Sequence, residues 1–370
     1  INPSMPLMDR WKLVEPFWEI CRHTGYGQSL DISAGAVYGI PRIEEDTIGE
    51  LNVRFLESLN QPHFKRVLKD LCRIEVSLLH EVIKTDNRYS FTSLLDADTA
   101  FFRSMYCVDN LVFVQSLEEV RKVETESGIP VTSLDAWLSA CEVLLENALR
   151  RGAAGLKSGL AYERSLAYER VTRAEAEEDF NELFKNIHMT NYLPSAFTLG
   201  KKFQDYCMHH LLSLANKRGL TFQFHTGIQE GNGNLVYHSD PSLLSPLFLT
   251  YRDVSFDLFH IGYPYHQVLG VLAKNNSNVF IDMCWAHIVS PVTSAAVLNE
   301  WLEMVPANKI SAFGGDYLFV DGVYGHLELA RRNTAKALAG KVTEGLFDLD
   351  RAREIARMLF YENPKRIFKL

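Results

Sequence analysis

The sequence predicts an α/β fold with parallel strands, most simply a (β/α)8 TIM-barrel-like domain preceded by a helical segment. Three observations predict it. From about residue 74 short apolar runs alternate with amphipathic helical segments. Each run is followed by a helix and then another run, a rhythm that calls for parallel pairing and right-handed crossovers. A length of 370 residues with 47% hydrophobic and 23% charged side chains suits one barrel with insertions. An open doubly wound sheet is the alternative, but no GxGxxG follows an early strand.

Residues 1–73 read as a mainly helical insertion or subdomain. WKLVEPFWEIC carries Trp11, Val14, Phe17 and Trp18 at helical spacing, and HFKRVLKDLCRIEV repeats the pattern. Between them, GYGQSLDISAGAVYGIP reads as a loop or a broken helix. The barrel is assigned to residues 74–370. Its candidate strands are IEVSLL (74–79), YSFTSLL (89–95), AAGLKSGL (153–160), LTFQFH (220–225), VSFDLFH (254–260), NVFIDMCW (278–285) and KISAFGGD (309–316). Ser133 is placed to cap the helix LDAWLSACEVLLENALRRG, which Gly152 stops. Thr172 and Glu175 form a capping box. Phe203 to Arg218 is a helix stopped by Gly219, and Leu327–Leu338 and Asp350–Phe360 complete the chain. A closed eight-stranded barrel needs one strand more than these.

Composition narrows the partners. The formal net charge is −8 and no basic stripe appears, which argues against nucleic acid. No apolar run approaches the length of a membrane span. The six cysteines are scattered with no CxxC pair, so a reducing cytoplasm is the expected setting.

The strand ends carry the chemistry. LTFQFH ends in His225, VSFDLFH in His260 and KISAFGGD in Asp316. A single histidine at a strand end is usually a hydrogen-bonded core residue. Two imidazoles and a carboxylate at the same edge of a parallel sheet instead suit Zn²⁺, with Mn²⁺ or Fe²⁺ as alternatives. Ala312 and Gly314, on the face of Asp316, would leave room for a ligand. Lys157 and, just beyond its strand, Tyr162 and Arg164 are candidates for binding a small substrate. Arg164 could hold a carboxylate through two parallel hydrogen bonds, or make an ion pair with Glu163 or Glu169. Tyr263 and Trp285, which follow two later strands, could line a pocket or pack in the core. His209 and His210 lie within a helix, whereas His238, His266, His287 and His326 are close enough to strand ends to reach a site.

FQFHTG, FDLFHIGYPY, FGGDY and the terminal ENPKRIF together resemble the amidohydrolase superfamily, in particular its branch of TIM-barrel metal-dependent hydrolases. The resemblance runs from about Gly152 to the C-terminus. It implies that His225 and Asp316 bind a divalent metal and that His260 lies beside it or polarises substrate. It also implies that Asp316 handles the proton of an activated water. Some members carry a carboxylated lysine at the position of Lys157. The family's His-x-His pair at the end of strand one is absent from this sequence, so strand one is expected to precede Ile1 or to be missing. The expected activity is metal-dependent hydrolysis of a small, carboxylate-bearing molecule. Decarboxylation, sugar-acid isomerisation and a metal-free pseudoenzyme are the alternatives, and homo-oligomerisation stays open.

Overall fold

A computed structural model describes residues 2–60, 62–81, 98–114, 117–186, 200–231, 233–317 and 319–370. The chain forms two compact units. One comprises Val76–Ile281 with Pro364–Leu370, and the other Ile1–Glu75 with Asp282–Asn363.

The first unit is built on parallel strands in sequential order: β1 (Ser77–Glu81), β2 (Phe102–Cys107), β3 (Gly155–Ser158), β4 (Thr221–Phe224), β5 (Ser255–Leu258) and β6 (Val279–Asp282). The last residue of β6 opens the other unit. Helices occupy the described crossovers from β2 onward, as the sequence rhythm requires. Ser133 accepts the Ala136 N–H at the start of helix Leu134–Arg150. Thr172 and Glu175 exchange both capping-box hydrogen bonds, at 3.0 and 3.3 Å. Gly219, left-handed at φ 57°, ends helix Lys201–Arg218. Met105, Phe280, Ile367 and Phe368 form a buried cluster that fixes the C-terminal tail to the strands.

β2 was not foreseen, because FRSMYC carries Arg103 and Ser104 and does not read as an apolar run. The expected strand at 89–95 lies outside the described residues. The first expected strand starts three residues early and ends two short of β1, and the others overrun the observed strands by one to five residues at their ends, which moves His225 and His260 off the ladder and onto the loops that follow it.

The second unit packs the long helix Gly322–Thr343 against helices Gly25–Tyr38 and Pro291–Met304. The sequence reading of residues 25–38 as a loop or broken helix is corrected here. Thr24 accepts the Gly27 N–H and starts a continuous helix, which Gly39 ends in the left-handed conformation. Its apolar periodicity is weak because small residues make its contacts. A Cβ at Gly25 would overlap the carbonyl of Ile288, and one at Gly325 would overlap that of Ser29. In this unit β7 (Ile310–Ser311) accepts the Met283 N–H at 2.9 Å. No described helix is long and apolar enough to cross a membrane.

Candidate active site

In the strand unit the loops after β4 and β5 bring two histidines together. His225 Nε2 donates to the Ile228 carbonyl at 2.8 Å, which leaves Nδ1 as the lone-pair nitrogen. His260 Nε2 lies 3.1 Å from that Nδ1. Two nitrogens on one tetrahedral ion with bonds of ~2.0–2.1 Å sit about 3.3 Å apart, so this spacing fits a shared metal. A backbone carbonyl holding the far nitrogen is how metal-binding histidines are usually oriented. Both rings are buried. His260 has φ 65° and Ile261 φ 51°, left-handed values that non-glycine residues adopt at a cost and that cluster at functional sites.

The loops are locked to each other. Thr226 Oγ1 donates to the Phe259 carbonyl at 2.7 Å, and Gly227 N–H to the Ser239 carbonyl at 2.8 Å. Gly227 has φ 72°, and a Cβ there would overlap the backbone of Gly262 and Tyr263. Gly227→Ala is therefore expected to destabilise the protein by roughly 2–5 kcal/mol, from the left-handed penalty plus overpacking. Denaturant unfolding checks this. A midpoint equal to that of the parent would mean the two loops are not packed this tightly.

One layer further into the sheet lies a buried polar row. Lys157, Gln223 and Asp257 are register partners on β3, β4 and β5, so their side chains share one face. His80 Nε2 donates to Gln223 Oε1 at 3.3 Å, and Gln223 Nε2 donates to Asp257 Oδ2 at 3.0 Å. Lys157 Nζ lies 3.4 Å from the centroid of the Phe259 ring, a cation–π contact. Asp257 Oδ1 is buried without a hydrogen-bond partner among the described residues. Burial pushes the Asp257 carboxyl from 3.8 to about 6, against the lowering effects of the Gln223 amide and the Lys157 charge.

The sign of the consequence follows. Between about pH 4 and 6 the folded state holds a proton that the unfolded state has released, so stability falls as pH rises through that window. The loss is on the order of 2–3 kcal/mol. Asp257→Asn, which cannot ionise, is expected to flatten this dependence and to be more stable than the parent above pH 6. Unfolding at pH 4.5 and 7.5 tests it, and an unchanged pH slope in the variant would refute the assignment. Sequence reasoning missed His80, Gln223 and Asp257, because single polar residues inside apolar runs read as interruptions.

Of the substrate candidates in this unit, Tyr162 packs against His225 with ring centroids 4.6 Å apart, and its hydroxyl accepts the Glu230 N–H at 3.1 Å. Tyr263 follows His260 and stacks on His266 at 6.5 Å. Arg164 is differently placed. Its guanidinium is buried, donates to Asp205 Oδ1 at 2.5 Å, Gln204 Oε1 at 2.9 Å and the carbonyls of Ser165 and Ala167, and lies over the Tyr168 ring. Its fork is engaged by the protein, in an ion pair with Asp205.

In the other unit Asp316 is exposed, with φ 53°, and Trp285 is buried with φ 61°. Trp285 N–H donates to the Gly314 carbonyl at 3.0 Å, and its ring meets Tyr26 edge-on at 6.5 Å. Cys284, which the sequence did not single out, offers a sulfur within 4.8 Å of an Asp316 carboxylate oxygen. The space expected beside Gly314 is filled, since a Cβ there would sit 2.6 Å from Cys284 Sγ. His287 donates from Nε2 to the Ala312 carbonyl at 2.8 Å and accepts from Asn333 at 3.3 Å. Burial pushes it down to about 4, so it is a neutral strut under the strand end rather than a group that gains charge near neutrality.

The sequence model of the amidohydrolase family matches residues 177–370, just over half of the chain. The protein fluG of Emericella nidulans is 23% identical over 332 residues, which cover 85% of this chain and 38% of fluG. The chain thus spans well under half the length of that curated relative. Among solved structures, a uronate isomerase from Thermotoga maritima superposes with a TM-score of 0.78 at 15% identity, covering 100% of this chain and 84% of that one. A glucuronate isomerase from Caulobacter crescentus gives 0.76 at 20% identity, covering 99% and 79%. A protein from Lactobacillus casei, named for an inferred metal-dependent hydrolase activity, gives 0.65 at 19% identity, covering 100% and 87%. At these identities the likeness establishes a shared fold.

Proposed function

This chain belongs to the amidohydrolase family of enzymes, and from that premise we propose that it is a metal-dependent hydrolase acting on a small, carboxylate-bearing molecule. The observation that carries the reading is the His225–His260 pair, with its Nδ1–Nε2 spacing of 3.1 Å and the Ile228 carbonyl on the far nitrogen of His225. His225, His260 and Asp316 are assigned as metal ligands by their motifs, FQFHTG, FDLFHIGYPY and FGGDY. A divalent ion, with zinc as the first choice, supplies acidity to water and polarises a carbonyl when bound.

The protein's own residues do the rest. Asp316 accepts the proton of the attacking water and returns it to the leaving group. Where His260 stands beside the ion rather than on it, its ring donates a hydrogen bond to the oxygen on which negative charge develops or orients Asp316. Tyr162, Tyr263 and Trp285 supply aromatic surface for the substrate. Lys157 supplies a buried cation for its acidic group, and the Phe259 face beneath the ammonium holds it in place. Arg164, two residues after Tyr162, is engaged with Asp205.

Isomerisation of a sugar acid is the second reading. Two uronate-type isomerases superpose on this chain better than the Lactobacillus protein does, and one fold supports either chemistry. The test is chelation and metal readdition on the purified protein, with product analysis on N-acyl amino acids and on uronates. Hydrolysis predicts a new amine and acid from the former, lost with the metal and restored by it. A ketose from a uronate would transfer the assignment to the isomerases. Activity unaffected by chelation would remove the metal from the mechanism.

A further inference from the structure

The helix-rich unit contains a cavity of about 300 Å³ that the proposed chemistry does not use. Its walls are apolar, from Leu30, Ile43, Ile48, Leu51, Phe55 and Phe319. Phe55 and Phe319 are exposed at 38% and 48%, so the mouth presents aromatic surface to water. Apolar walls with a few placed polar groups are the usual composition of a small-molecule site, and this volume is at the small end of that range.

The polar groups converge at one end. Asp321 lines the cavity and is the one charged side chain in its described lining. Its Oδ1 takes two hydrogen bonds, from the Tyr38 hydroxyl and from His63 Nε2 at 2.8 Å. Tyr38 itself lines the cavity, and the two donors together fix the carboxylate. Its second oxygen, Oδ2, takes no hydrogen bond from any described residue. Burial first, and then the bond to Asp321, push the Tyr38 phenol up to about 12, so Tyr38 stays a neutral donor across the physiological range. The cavity therefore ends in a carboxylate held rigidly by two donors, with an oxygen left to accept and otherwise uncharged walls around it. In such walls the field of one carboxylate favours a cation, and an apolar body attached to that cation would cover the aromatic mouth.

We propose that this cavity is a binding site for an apolar small molecule bearing a primary ammonium group, with the ammonium on Asp321 Oδ2 and the hydrocarbon against Leu51, Phe55 and Phe319. The site belongs to the helices Gly25–Tyr38 and Glu45–Ser58 and to the residue preceding helix Gly322–Thr343. It stands independently of the hydrolase reading.

The test is calorimetric titration of the full chain with phenethylamine, beside 2-phenylethanol and 3-phenylpropionate as neutral and anionic compounds of the same build. Phenethylamine is expected to bind saturably and at least tenfold more tightly than either. Asp321→Asn should reduce its affinity at least tenfold while leaving the weak binding of the alcohol unchanged. Leu51→Trp, which fills the cavity, should abolish binding of both. Equal binding of amine and alcohol, or amine binding that survives Asp321→Asn, would overturn the proposal, as would no binding by the folded parent. The compound series on the parent decides the matter even if a variant fails to fold.

Discussion

Replacing Asp316 by asparagine is expected to lower kcat/KM by roughly 10²–10⁴-fold, the usual contribution of a positioned acid–base group. The substitution separates chemistry from folding unusually well. Asp316 is exposed, at φ 53°, outside any assigned helix, strand or turn. Asparagine is, after glycine, the residue that best tolerates the left-handed region, and it matches aspartate in shape. The backbone therefore has no reason to move, and the unfolding midpoint should stay close to that of the parent. What changes is that an amide cannot take a proton from water and return it to a leaving group. An Asp316→Asn enzyme that keeps a tenth or more of parental kcat/KM would remove Asp316 from the acid–base role. Loss of both turnover and cooperative unfolding would instead assign it to the fold. Cys284 sharpens the comparison, because its sulfur lies near the same carboxylate. Cys284→Ser, which keeps a small polar side chain, is expected to cost less kcat/KM than Asp316→Asn.

How much of this was legible from residues alone depends on where each signal lives. His225, His260 and Asp316 drew attention because each ends or follows an apolar run, and the structure brings the two histidines of that set into contact. The helix caps at Ser133 and Thr172 were visible because capping is local, set by residues three apart. The helix from Gly25 to Tyr38 was not, because its stability comes from close approach. Gly25 and, across from it, Gly325 are selected by the backbone of another segment, and a periodicity search cannot see that segment. The polar row beneath the histidines was hidden for a related reason. Gln223 reads as a blemish in LTFQFH until the register places it between Lys157 and Asp257. Arg164 shows the converse: its position just past β3 suggested an anion site, but Asp205, on a helix far along the chain, is the anion it holds. The left-handed backbone at His260, Trp285 and Asp316 could not have been foreseen, because histidine and aspartate adopt it at only a minority of positions and tryptophan more rarely still.

His225→Ala is expected to remove the metal. The parent should carry about one equivalent by elemental mass spectrometry, as for a single-ion site. The variant should retain a small fraction of that, because an imidazole ligand and the carbonyl that orients it act together and even the orienting partner is worth roughly 10–100-fold in affinity. The fold should persist, since the loop is held by bonds that do not involve the ring: His225 N–H to the Ser158 carbonyl at 2.9 Å, Thr226 to Phe259 and Gly227 to Ser239. Removing the ring does free the Ile228 carbonyl and opens space beside Tyr162 and His260, so a loss of a few kcal/mol is expected from the cavity. His225→Gln supplies the control, because a glutamine amide refills much of that space and can donate to Ile228 but is a poor ligand for zinc. If the glutamine variant recovers stability without recovering metal, the ring is there for the ion. If both variants keep a full equivalent, the His225–His260 contact is a hydrogen bond within the protein, and the ion lies elsewhere. A parent that takes up no metal after growth with zinc, manganese or iron would leave the pair with no ion to hold. The 3.1 Å spacing would then be the ordinary length of one imidazole donating to another.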